Sequence, residues 1–102
     1  MADPGNEIIS NSIDEKDGNR IIGGSARAVL EHVAKSLVTD PEAVVVESFE
    51  KEGAVDFSLH VSPGDVGRVI GRQGRVAKAI RVLVSAAAHQ EGVRATVDIV
   101  DD

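Results

Sequence analysis

The chain has 102 residues, 42% of them apolar, and a formal net charge of −6, which fits one compact domain with a tail and is too short for two ordinary domains. It has no cysteine, which excludes disulfides, thiolate metal sites and cysteine nucleophiles, and His32, His60 and His89 stand at spacings that match no metal-ligand pattern. No apolar run approaches the roughly 20 residues that span a bilayer, and no basic stretch with an apolar core marks a signal peptide, so a cytoplasmic protein without membrane contact is expected.

Residues 1–24 mix Gly, Asn, Asp and Ser with scattered isoleucines and hold neither a helical nor a strand period. They are expected as a mobile polar tail preceding a domain over 25–102, with Ile8, Ile9, Ile21 and Ile22 as its candidates for docking. Ser25 is placed to cap a helix in which Ala26, Val29, Leu30, Val33, Ala34, Leu37 and Val38 recur at three- and four-residue steps. Asp40-Pro41 stops that helix, because the residue before a proline is pushed out of helical geometry. Val44 to Glu50 is rich in β-branched residues and predicts a strand of ambiguous period: Val44 and Val46 point one way, Val45 and Phe49 the other. A turn at Glu52-Gly53 leads to a second strand with Val55, Phe57, Leu59 and Val61 on one face.

Ser62-Pro63-Gly64-Asp65 is a helix-start signature, with a capping serine, proline at the first helical position and an acid three residues after the cap. The helix it opens runs to Ile70, where Gly71 and Gly74 punctuate the chain. A longer helix follows, with Val76, Ile80, Leu83, Val84 and Ala87 expected on its inner side, and ends at Gly92. Val93, Ala95, Val97 and Ile99 then alternate with polar residues as a third strand. The order α-β-β-α-α-β predicts an α+β two-layer sandwich: a three-stranded mixed sheet with helices on one face.

The overall acidity hides a local reversal. From Val66 to Gln90 there are five basic residues, Arg68, Arg72, Arg75, Lys78 and Arg81, and no acidic one; screening beyond ~8 Å makes such nearby charges decide the field a ligand meets. In the middle of this stretch Val69-Ile70-Gly71-Arg72-Gln73-Gly74-Arg75 joins the two helices. Gly71 is free to take positive φ and close the first helix, and Gly74 leaves the backbone open to approach at the start of the second, where unpaired amides and the helix dipole favour phosphate.

Val-Ile-Gly-x-x-Gly between two short helices resembles the K-homology (KH) signature, and the element order looks like the type II KH arrangement. The stretch from Asp40-Pro41-Glu42 through Arg81 is similar to the small bacterial single-KH proteins of the KhpA or YlqC family, a resemblance that covers about residues 26–100. It implies a cytoplasmic RNA-binding protein and RNA chaperone, pairing with itself or with a multidomain KhpB-type KH protein and influencing cell shape and wall synthesis. By that resemblance the loop Gly71, Arg72, Gln73 and Gly74 holds the backbone of single-stranded RNA. Arg68, Arg75 and Lys78 are then secondary phosphate contacts, and Val66, Val69 and Ile70 are candidates either for the groove floor or for plain core. With two Phe and no Tyr or Trp, stacking of bases on aromatic rings is mostly unavailable, so weak and sequence-tolerant binding is expected.

Two other readings use the same residues. The glycines suit a helix-turn-helix DNA reader, which leaves the strands and the glycine spacing unexplained, and exposed strand edges on an acidic surface suit a protein-interaction module without nucleic acid. Catalysis finds no support: the glycines match neither a dinucleotide-binding nor a Walker pattern, and Asp56 and Asp98 fall at outward strand positions. No enzyme activity, cofactor or metal is expected.

Overall fold

A computed structural model describes residues 24–101; the predicted tail over 1–24 lies outside the described residues apart from Gly24, which is the first residue of helix α1. The elements are α1 (Gly24–Leu37), β1 (Val45–Lys51), β2 (Ala54–His60), α2 (Val66–Ile70), α3 (Arg75–Gln90) and β3 (Arg94–Ile99), with short 3-10 turns at Pro41–Ala43, Pro63–Asp65 and Arg72–Gly74. The strands lie in the order β1-β2-β3, the first pair antiparallel and the second parallel. This is the expected α+β sandwich, and its parallel pair requires the crossover that α2 and α3 supply.

The core forms between one sheet face and the three helices. Val46, Val55, Phe57, Leu59 and Val97 from the strands meet Ala26, Leu30, Ala34, Val69, Ile80, Val84 and Ala88 from the helices. Burial settles the ambiguous period of β1: Val46 is 3% exposed, whereas Val45 and Phe49 are 50% and 61% exposed on the open face. The outcome follows from pairing, since Val46 sits opposite Leu59 and Phe49 opposite Asp56. Leu83, expected inside, is half exposed beside Val82, and Ala77 and Ala88 are buried instead. Small residues at those positions let α3 lie close to its neighbours, which a leucine face would hold apart.

Two expected caps are not made. Ser25 lies inside α1 rather than ahead of it, and its amide donates to Glu91 Oε2 at 3.2 Å. Ser62 makes no side-chain cap bond, and the carboxylate of Asp65, rather than turning back to Ser62, reaches the α1–β1 connection.

Both outer edges of the sheet are tied to the helix layer by an arginine. Arg27 of α1 donates to the carbonyl of Val46 and to Ser48 Oγ on β1, and Arg81 of α3 donates from Nε to the carbonyl of Val97 on β3 at 3.1 Å. Each blunts an edge that would otherwise present free main-chain groups.

Candidate nucleic-acid interface

The α2–α3 loop is shaped by three left-handed residues. Gly71 has φ 78°, Gln73 φ 58° and Gly74 φ 75°. At Gly71 the requirement for glycine is double, because a Cβ there would come within 2.3 Å of Val76 Cγ2. The amide of Gly71 donates to the Gly67 carbonyl at 2.8 Å and that of Gly74 to the Gly71 carbonyl at 3.2 Å, so the bend is closed by its own main chain. Nothing lies within 4 Å of a Cβ built on Gly74, which leaves the backbone at the head of α3 open to solvent. The left-handed Gln73 was not legible in the sequence, as glutamine carries no preference for that region.

Arg72, Gln73, Arg75 and Lys78 are exposed, and among the described residues no carboxylate pairs with the three cations. Within the described residues a ligand phosphate would meet them without first displacing an ion pair. Arg68 differs: its Nε lies 3.2 Å from Asp65 Oδ1, so part of its charge is already answered within the protein. Arg81, counted in the basic stretch, is spent on β3.

The apolar candidates separate by burial. Val69 is fully buried in the core cluster and Val66 is 9% exposed, which removes Val69 from contact with any ligand. Ile70 keeps partial exposure at the end of α2 and has surface to offer beside the loop. Sequence reasoning missed Asp65, whose side chain is buried and accepts hydrogen bonds from the amide and hydroxyl of Thr39 and the amide of Asp40. An acid three residues after a serine cap carries no sign of a partner 26 residues upstream. Among the described residues no cluster of three His, Cys, Asp or Glu side chains is placed to hold a metal, and no helix is long and apolar enough to cross a membrane.

Comparison with known proteins agrees with this geometry. The family model described as KhpA/KhpB, KH domain, matches residues 27–99. An RNA-binding protein KhpA from Clostridium acetobutylicum is 46% identical over 74 residues, which cover 72% of this chain and 99% of that protein. Proteins of the same name from Leifsonia xyli and Listeria monocytogenes are 50% and 42% identical, over 72% and 68% of this chain and 93% and 91% of their own lengths. No solved structure matches. With the signature loop in place between α2 and α3 and the family match running from within α1 to the end of β3, the chain belongs to the KhpA/KhpB family of KH-domain proteins.

Proposed function

We propose that this chain binds single-stranded RNA in the cytoplasm, with the backbone lying across Gly71, Arg72, Gln73 and Gly74 and with Arg75, Lys78 and, more weakly, Arg68 beside the phosphates. The observation that carries this reading is the bend itself: left-handed, open at Gly74 and flanked by Arg72, Arg75 and Lys78, which no carboxylate in the described residues answers. Phosphate contacts of this kind position a strand without reading its sequence, and the absence of tyrosine and tryptophan limits base stacking. The consequence is the broad, shallow recognition suited to an RNA chaperone. A role in cell shape and wall homeostasis accompanies the family reading.

Such a small site gains from a second copy, because linked sites convert weak contacts into avidity. The exposed Val82 and Leu83 on α3 supply an apolar surface for self-association or for a KhpB-type partner.

Titration of labelled single-stranded RNA with wild type and with Arg72→Asp plus Gln73→Asp tests the site. Aspartate tolerates the left-handed conformation of Gln73, so the fold is retained while two repelling charges face the phosphates. RNA affinity falls at least tenfold, by roughly the ~1.4 kcal/mol that defines such a factor; unchanged affinity in the folded variant refutes the site. With ~3 to 4 phosphates neutralised, the log-log salt slope for wild type lies near −2 to −3. Duplex DNA bound as tightly as RNA would favour a helix-turn-helix mode instead.

A further inference from the structure

Residues 1–23 precede the region shared with the family, which begins at residue 27. They carry Asp3, Glu7, Asp14, Glu15 and Asp17 against Lys16 and Arg20, a net charge of −3. The bond from the Ser25 amide to Glu91 Oε2 fixes where this segment joins the domain: at the Glu91-Gly92 turn between α3 and β3.

A shallow pocket opens at that same corner, lined by Ser85 and His89 of α3 and by Val93, Arg94 and Thr96 of the turn and β3. From it the seam between α3 and the outer edge of β3 runs on, bridged by Arg81. Lys78, Arg81, Ser85 and His89 are exposed and recur at three- and four-residue steps, so they share one side of α3, and the Arg81 bond to Val97 lays that side along the outer edge of β3. The amides of Arg94 and Val100 donate inward to Gly53 and Leu59 of the hairpin, so in a parallel ladder Ala95, Val97 and Ile99 turn their main-chain groups outward into the groove. Its α3 stripe carries no carboxylate. Because α3 and β3 run in opposite directions, the groove leads from the point where residues 1–23 join the domain to the Gly71–Gly74 bend.

We propose that the acidic segment of residues 1–23 docks in cis into the groove between α3 and the outer edge of β3, its carboxylates against Arg94 and Lys78, and there competes with RNA. Three independent features meet in this assignment: opposite charge, a shared corner, and sufficient reach, since six strand residues cover only ~20 Å and a 23-residue segment extends further than that. Tethering gives the segment an effective concentration in the millimolar range, so even weak docking displaces a weak ligand. The competition rests on the RNA reading above, whereas the docking does not.

The chain has no cysteine, so a nitroxide on Ser12→Cys reports the segment's position in the full protein. The amides of Ser85, Ala95 and Val97 are expected to broaden while those of Val45 and Phe49 on the open face do not, and neutralising the segment with Glu7→Gln, Asp14→Asn, Glu15→Gln and Asp17→Asn abolishes the effect. Absent broadening, or equal broadening on the open face, overturns the docking. The neutralised chain is expected to bind oligouridylate about three- to tenfold more tightly than wild type. A control of equal net charge, with Glu42→Gln, Glu50→Gln, Glu52→Gln and Asp98→Asn, gains less; an equal gain, or none in either variant, overturns the competition. If no chain binds RNA, the RNA reading fails, and the broadening still decides the docking.

Discussion

The carboxylate of Asp65 and the hydroxyl of Thr39 meet at 2.9 Å, 26 residues apart in sequence, and the Thr39 amide donates to the same oxygen at 3.1 Å. With the Asp40 amide on its other oxygen, Asp65 ties the end of α1 to the start of α2, the short helix that leads into the Gly71–Gly74 bend. A buried carboxylate is tolerated there because its lone pairs are answered.

The Thr39 amide bond above all, helped by the Thr39 hydroxyl, the Asp40 amide and the nearby Arg68 charge, holds the Asp65 carboxyl below the usual carboxylate range against the opposing effect of burial. A depressed folded value means stability that is fully present above the unfolded value of ~3.9 and is lost as pH falls through the folded one. Asp65→Asn therefore melts below wild type from pH 5 to 7, by about 5 to 15 °C for a domain of this size. The gap narrows as the pH falls below about 4, which paired thermal melts across that range will measure.

The two loop glycines respond differently to alanine. Both have positive φ, but only at Gly71 would the new methyl collide with Val76, whereas at Gly74 it enters open space. Gly74→Ala is expected to cost about 1 to 2 kcal/mol, the left-handed penalty alone. Gly71→Ala adds overpacking of about 1 to 3 kcal/mol more. Urea denaturation of the two variants separates these costs, and equal losses would mean that Val76 yields without strain.

Local signals in the chain were sufficient for the element order, since Asp40-Pro41, Pro63 and Gly92 each mark a boundary by backbone chemistry that neighbours cannot override. The bend at Gly71–Gly74 was legible for the same reason. Facing was less so: Phe49 and Leu83 are apolar residues at plausible core positions, and what exposes them is the register of β2 and the close approach of α3, both set by distant partners. Asp65 and Arg81 escaped for a related reason. Each spends its charge on main-chain groups brought near only by the tertiary fold, so the acid of a helix-start signature and one member of the basic stretch both turned out to be ties between elements.

Arg81 and Arg75 look alike in sequence and should behave differently in solution. Arg75 is exposed without a carboxylate partner among the described residues, while Arg81 reaches the Val97 carbonyl. Arg75→Ala is expected to leave stability within about 0.5 kcal/mol and to reduce the salt slope of RNA binding by ~0.7, one phosphate on a single strand. Arg81→Ala loses a part-buried hydrogen bond from a charged donor, at about 1 kcal/mol, and faster hydrogen exchange along β3 should accompany it. Denaturant titration with salt-dependent RNA binding distinguishes the pair.

Leu83 is half exposed and Val82 more so, adjacent on α3 and turned away from the core that Ile80 and Val84 fill. A substitution at an exposed position away from caps and buried partners normally shifts stability by no more than about 0.5 kcal/mol, so Leu83→Glu leaves the monomer fold intact. If this surface carries self-association, a glutamate on each copy places unpaired charge in a desolvated contact, where it costs more than a surface charge can recover. Light scattering after size exclusion is then expected to show wild type as a dimer at concentrations where Leu83→Glu is a monomer with the same melting midpoint. A variant that stays dimeric would move the interface elsewhere, to the open sheet face that Val45 and Phe49 leave exposed.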